Sequence, residues 1–303
     1  MKRHVAVLMG GRSAEREVSL VSGEACATAL EERGYPVTRV DAGADLPEVL
    51  QRLRPDVVFN ALHGRYGEDG RVQGLLDLLA IPYTHSGVLA SALAMDKPMV
   101  KRVFASAGLR CPMGVETTLD ALLAEPPLAP PFVVKPAAEG SSVGVVIVPD
   151  DDLRPLTDRN DLDAGTRLLV ESYVPGRELT CAVLGDEALA VTEIRPNGGF
   201  YDYRAKYTEG FASHLVPAPL SPDLYERVLD AALMAHRVLG CRGVSRADFR
   251  LDPALGEDGL YLLEVNTQPG MTPLSLVPEQ AAYRGIGFAD LVEQLVGWAR
   301  CDT

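Results

Sequence analysis

At 303 residues, with 47% apolar and 23% charged side chains, the chain has the composition of a soluble protein with room for two or three cores. Its 42 acidic against 29 basic residues give a formal charge of −13, which argues against nucleic acid or an anionic membrane surface as partner, while a local Lys/Arg cluster could still bind a small anion. The apolar run Val5 to Met9 is too short for a signal-peptide core, and no stretch approaches a membrane span. The five cysteines (Cys26, Cys111, Cys181, Cys241, Cys301) show neither disulfide nor zinc spacing, so reduced thiols in the cytoplasm are expected.

In chain order, His4 to Met9 reads as a buried strand. Ser13 is positioned to cap a following helix that carries Glu15 and Glu17 in its first turn and stops at Gly34. Pro36 to Asp41 and Asp56 to Ala61 read as further strands, with helical patterns between them and after Arg71. Strands alternating with helices imply an α/β unit with an open parallel sheet. A helix is expected from Asp96 to about Gly108. The Pro-rich stretch 125–131 then leads into a strand at Phe132 to Lys135, a loop at 138–143 and a β-rich stretch. Arg167 to Val174 reads as another strand, with a hinge at Pro175-Gly176. Leu179 to Leu184 and Ala188 to Ile194 are the next strands. Residues 196–214 form a long polar, aromatic loop of the kind that usually serves as a lid. Ser221-Pro222 starts a helix whose apolar face is Leu224, Val228, Ala231, Ala235 and Val238, ending at Gly240. Two strands close the series, Gly243 to Leu251 and Gly259 to Asn266.

Those last two strands carry the sharpest chemical signal. Alternation along a strand puts Arg246 and Asp248 on one face, and likewise Glu264 and Asn266. Pairing the strands would gather Asp248, Glu264 and Asn266 into a hard oxygen set suited to Mg²⁺ with a nucleotide. The alternative is a solvated outer face. Leu260 and Leu262 are expected to share the face of Glu264 and so to bury it, and a buried carboxylate without a cation is costly, so the metal reading is preferred.

Two glycine-rich turns come next. Glu139-Gly140-Ser141-Ser142-Val143-Gly144 follows the strand ending at Lys135 and could fold over a phosphate, although an ordinary hairpin fits it equally well. A Walker A loop is excluded, because there the Lys follows the glycines. Gly10-Gly11-Arg12-Ser13 lacks the full dinucleotide fingerprint, which argues against a nicotinamide dehydrogenase. The helix start there favours an anion, and Glu15 could hold an amine. His63 stands at the C-terminal end of a strand, where α/β sheets place ligands. Without context His63, Lys97, Arg204, Lys206 and Tyr207 read as structural or surface residues.

Taken in order, Gly10 to Ser19, Leu62-His63-Gly64, Asp96-Lys97, Val134-Lys135-Pro136 and Glu139 to Gly144 resemble the D-alanine–D-alanine ligases. Tyr201 to Tyr207, Arg246-Ala247-Asp248 and Leu263 to Thr272 continue the resemblance over essentially the whole chain. The resemblance implies an ATP-grasp fold with an N-terminal Rossmann-like parallel-sheet domain (residues 1–95), a central lobe (96–176) and a C-terminal lobe (177–303) holding the metal site and the lid loop 196–214. It implies ATP, Mg²⁺ or Mn²⁺ and two D-alanine molecules as ligands, a homodimer in the cytoplasm, and a D-alanyl phosphate intermediate on the way to a peptidoglycan precursor.

The resemblance also implies roles for individual residues. Asp248, Glu264 and Asn266 would hold metal; Lys97, Lys135 and Lys206 would contact the phosphates; Glu171 and Glu178 would take the adenine amine and the ribose. Glu15 and His63 would attend the first D-alanine, Ser275 the carboxylate of the second. Arg246 and the Gly270 N–H would serve the oxyanion, with Ser141 and Tyr207 linking the closed lid to Glu15. Tyr207 favours the D-alanine form over D-lactate-using relatives. The rivals are another ATP-grasp carboxylate–amine ligase and a nucleotide-binding sensor without ligase activity.

Overall fold

Three sheets organise the chain, and the first follows from short, uninterrupted apolar runs of the kind that parallel strands buried on both faces require. The computed structural model describes residues 2–140, 144–157, 162–196 and 212–302. Strand β1 (Val5–Met9) lies between β2 (Val37–Asp41) and β3 (Val57–Asn60), both parallel to it, with Val5 opposite Val37 and Val57. Alternate residues of β1 feed two cores. Val5, Val7 and Met9 pack on helix α1 (Arg16–Glu32), whereas Ala6 and Leu8 pack on α2 (Leu46–Leu53) and α3 (Arg71–Leu78). Gly34, with φ +79°, follows the end of α1 as expected.

Two short helices, α4 (Val88–Met95) and α5 (Lys97–Ser106), lead to the second sheet. Asp96 caps α5 by accepting from the Met99 N–H. The second sheet is antiparallel, in the order β4 (Gly114–Thr118), β7 (Arg167–Ser172), β5 (Phe132–Pro136), β6 (Val146–Val148). Helices α6 (Leu119–Ala124) and α7 (Arg154–Thr157) complete this part, where Leu122, Phe132, Leu156 and Leu168 form the core.

Pro175-Gly176 falls in the link from β7 to the third sheet, whose strands are all antiparallel. Their order is β10 (Ala212–Leu215), β9 (Glu187–Pro196), β8 (Arg177–Leu184), β11 (Val244–Leu251), β12 (Leu260–Asn266). Helix α8 (Pro222–Val238) covers one face, capped by Ser221, whose hydroxyl accepts from the Leu224 N–H. Helices α9 (Leu276–Tyr283) and α10 (Phe288–Gly297) return to the first sheet, where Leu291, Val292 and Leu295 join the core beneath β1 and α1. No helix among the described residues is long and apolar enough to cross a membrane.

Several expectations need correction. Ser13 does not cap α1 at its first turn. Its hydroxyl donates to the His63 carbonyl and accepts from the Glu15 N–H, and Glu15 itself occupies the capping position. The buried stripe of α8 runs through Leu224, Val228, Ala232, Ala235 and His236, with Ala231 partly buried and Val238 exposed, because the stripe turns by 100° per residue across more than four turns. The expected loop 196–214 is shorter at both ends, since Pro196 still pairs in β9 and Ala212 begins β10.

Candidate active site

The metal-suited residues come together through strand register. Asp248 sits opposite Glu264, and Arg246 opposite Asn266. Glu264, however, does not share a face with Leu260 and Leu262 as expected. A bulge at Leu263 shifts the register, so Leu262 and Leu260 bury with Val265 in the core under α8, whereas Leu263 and Glu264 face the cavity on the other side. Two carboxylates and an amide therefore share an open face. Among the described residues no group of three His, Cys, Asp or Glu side chains is close enough to hold a metal ion.

Asp248 is tightly held. Arg246, two residues away on the same face, donates to both of its carboxylate oxygens at 2.8 and 2.7 Å, and the buried Thr180 hydroxyl on β8 donates at 2.7 Å. The arginine fork matches the planar carboxylate, and Thr180 lies directly across the ladder from Asp248.

A cavity of about 560 Å³ is lined by residues of both the second and the third sheet. Its apolar lining includes Val133, Ile147 and Leu263; its polar lining includes Lys97, Lys135, Glu171, Glu178, Asp248 and Glu264. Lys97, a surface residue by default, and Lys135 are both buried. Lys97 donates to the Glu139 carbonyl, and burial pulls its ammonium below the usual lysine range. Glu171 lies between Lys135 and Lys101, ion-paired to each. Burial opposes ionisation of Glu171, but the two lysines outweigh it and hold the carboxyl below the usual glutamate range. Glu178 stands at the cavity wall, 3.6 Å from the Arg250 guanidinium.

A smaller cavity of about 40 Å³ shares Lys97, Glu139 and Glu264 with the first and adds Glu68, Gly140 and Asn266. Near it lies the first glycine turn. Glu15 is buried against two glycines: a Cβ on Gly64 would fall 2.2 Å from its Oε2, and one on Gly140 3.1 Å from it. Both loops that meet Glu15 thus need glycine for room, and Gly64, at φ +69°, needs it for backbone as well. His63 is buried with both ring nitrogens engaged, to Glu68 at 3.1 Å and to Ser22 at 3.2 Å. Ser275 precedes α9 and bonds the Thr272 N–H at 2.9 Å, with its hydroxyl packed against Gly270.

Ser141, Arg204, Lys206 and Tyr207 lie outside the described residues. The geometry adds residues that the sequence reading passed over. Lys101 follows Lys97 by one helical turn on α5, a spacing that was visible. Thr180 could be found only from the β8–β11 register. Glu68 stands five residues beyond His63 in a loop whose fold brings the two together.

Residues 120–297 match the family model described as D-ala D-ala ligase C-terminus, and residues 40–86 the one described as D-ala D-ala ligase N-terminus. The D-alanine–D-alanine ligase of Agrobacterium fabrum is 57% identical, covering 99% of this chain and 98% of its own length. That of Cereibacter sphaeroides is 58% identical, with 98% and 96% covered. The crystal structure of the Bacillus anthracis D-alanine–D-alanine ligase superposes with a TM-score of 0.84 at 33% identity, covering 97% of this chain and 96% of that one. The same enzyme complexed with ATP gives 0.82 at 33% identity, covering 98% and 96%. Matched by both family models and by relatives of this identity over almost its whole length, the chain belongs to the D-alanine–D-alanine ligase family, the ATP-dependent ligases that make D-alanyl-D-alanine for peptidoglycan.

Proposed function

We propose that this chain joins two D-alanine molecules at the expense of ATP, with the nucleotide in the larger cavity and the amino acids between Glu15 and Gly270. The observation that carries the reading is the meeting of Asp248, Glu264, Lys97 and Lys135 in the larger cavity, with Asn266 lining the smaller one that shares Lys97 and Glu264 with it. In the reaction, a carboxylate oxygen of the first D-alanine attacks the γ-phosphorus and ADP leaves. The amine of the second D-alanine then attacks the acyl carbon, and phosphate departs as the amide forms.

The residues suit these tasks. Val133, Ile147 and Leu263 offer apolar walls to a purine, Glu171 an acceptor for its amino group, and Glu178 an acceptor for ribose hydroxyls. Lys97 and Lys135 supply fixed positive charge for the phosphates. Glu15, with His63 close by, offers a carboxylate to the first ammonium. Arg246 and the Gly270 N–H are suited to the oxyanion of the tetrahedral intermediate, and Ser275 at the start of α9 to the second carboxylate. Ser141, Lys206 and Tyr207 belong to the same proposal as lid and loop contacts.

The donor set of Asp248, Glu264 and Asn266 is all hard oxygen and faces a cavity, so it fits Mg²⁺ or Mn²⁺. Those three residues would hold the ion, which would supply positive charge against the negative charge that develops on the phosphates during transfer. The division into lobes at 1–95, 96–176 and 177–303, a homodimer and a cytoplasmic location complete the proposal. The five free thiols suit a reducing compartment.

Phosphate release with ATP and Mg²⁺ tests the reading, run with D-alanine, L-alanine and D-alanine plus D-lactate. Release that requires D-alanine and metal, with dipeptide as product, is the expected result. Nucleotide binding without release for any D-amino acid would overturn it.

A further inference from the structure

Beneath the site lies a buried amide pair to which the reaction assigns no task. Asn60, at the end of β3, is fully buried, and Gln268, two residues beyond Asn266, is buried as well. The Asn60 Nδ2 donates to Gln268 Oε1 at 2.6 Å and to the Gly67 carbonyl at 3.0 Å, and its Oδ1 accepts from the Leu62 N–H at 3.2 Å. Gln268 Nε2 in turn donates to the Leu62 carbonyl. Gln73 Nε2 adds a second bond to the Gly67 carbonyl at 2.9 Å. The two side chains therefore satisfy backbone groups at both ends of the 62–67 loop, a task that needs a donor and an acceptor in one side chain.

What hangs from each end gives this pair its meaning. The loop holds His63 and Gly64, the residues that meet Glu68, Ser22 and Glu15. On the other side, the Gln268 N–H donates to Asn266 Oδ1 at 2.8 Å, and Gly270 follows two residues later. The first segment attends the amine end of the acyl donor, and the second carries a metal ligand and an oxyanion donor. One amide–amide bond across 208 residues of sequence joins the two.

We infer that Asn60 and Gln268 are positioning residues that set the separation of the substrate-amine segment from the metal and oxyanion segment. The inference rests on the ligase reading above. Neither side chain touches substrate in this account; both act by holding the backbone that does. A misplacement of about 1 Å in such a frame costs on the order of a hundredfold in rate, so the pair should be felt in catalysis and not only in stability.

The test is Gln268→Met, which keeps the length of the side chain and removes both amide bonds, compared with Asn60→Ala and with the double variant. Folded fraction is measured by circular dichroism and nucleotide affinity by titration, so that rates are stated per folded molecule. The expected result is a fall in kcat of about tenfold to a hundredfold with a raised KM for D-alanine, while ATP affinity stays within about twofold. The double variant should be no slower than the slower single one, because the pair acts as a unit. A lowered melting temperature with kcat and both KM values unchanged would overturn the inference and leave the pair purely structural. Should Gln268→Met fail to fold, Asn60→Ala carries the test, because it removes the amide–amide bond and leaves the Gln268 donor to Leu62 in place. The inference then requires the same split between D-alanine and ATP at smaller size, and its absence overturns it. Unsubstituted enzyme that makes no dipeptide would instead overturn the ligase reading itself.

Discussion

Thr180→Val removes from the proposed metal site a hydroxyl that donates to Asp248 at 2.7 Å and lies 3.3 Å from the Ala247 carbonyl. Thr180 is fully buried, so valine fills its space, and the change removes the 2.7 Å donor to Asp248 while leaving the Arg246 fork in place. A hydrogen bond to a charged group contributes about 1.5–3 kcal/mol, which converts to a factor of roughly ten to a hundred and fifty. Loss of a group that orients a metal ligand independently gives about ten- to a hundredfold in metal affinity. The two routes agree, so half-maximal phosphate release should need about ten to a hundred times more free Mg²⁺. Rate at saturating metal should recover to within a few-fold, because Asp248, Glu264 and Asn266 are all retained. The assay is phosphate release against free Mg²⁺ at saturating ATP and D-alanine, with Thr180→Ser as the control that keeps the hydroxyl. An unchanged metal requirement in folded Thr180→Val would refute the claim that Thr180 holds Asp248 for the ion.

Glu171→Gln should destabilise the fold at neutral pH by about 3 kcal/mol, because it leaves Lys101 and Lys135 buried without their carboxylate. The folded value of Glu171 lies below its unfolded value, so its contribution is complete above about pH 4.3 and is lost as pH falls through the folded value. Denaturation series from pH 7 downward should therefore show the gap between the two proteins closing in acid, and a constant gap would count against the ion pairs. Gly64→Ala combines a left-handed backbone with a Cβ 2.2 Å from the Glu15 carboxylate. It should raise KM for D-alanine while leaving nucleotide affinity alone, and equal losses in both would argue against Glu15 as the amine partner. Phe104→Ala, at a fully buried position between α5 and the core under α8, should cost about 3–5 kcal/mol in urea denaturation; a change below about 1 kcal/mol would deny that core its role.

The parts of the site built from local pattern were legible in the residues alone. Arg246-Ala247-Asp248 and Glu264-Val265-Asn266 alternate along their strands, so their pairing could be foreseen. The glycine turn at Gly10-Gly11 likewise announced itself, because only glycine takes a left-handed backbone freely. What escaped depended on partners far away in sequence. The bulge at Leu263 puts Leu262 and Glu264 on opposite faces without any signal within the strand. Strand β4, with mostly exposed Gly-Val-Glu-Thr-Thr, has no apolar alternation to reveal it and exists by pairing with β7. Thr180 and Gln268 acquire their tasks only when register and chain path bring them to Asp248 and Asn60.

The most direct measurement follows the oxygen. D-alanine labelled with ¹⁸O in both carboxylate oxygens is incubated with ATP and Mg²⁺, and dipeptide and phosphate are read by mass spectrometry. One ¹⁸O is expected in the phosphate for each dipeptide formed, because the attacking carboxylate oxygen leaves with the phosphoryl group. Phosphate without label, or ATP consumed with no dipeptide, would contradict it.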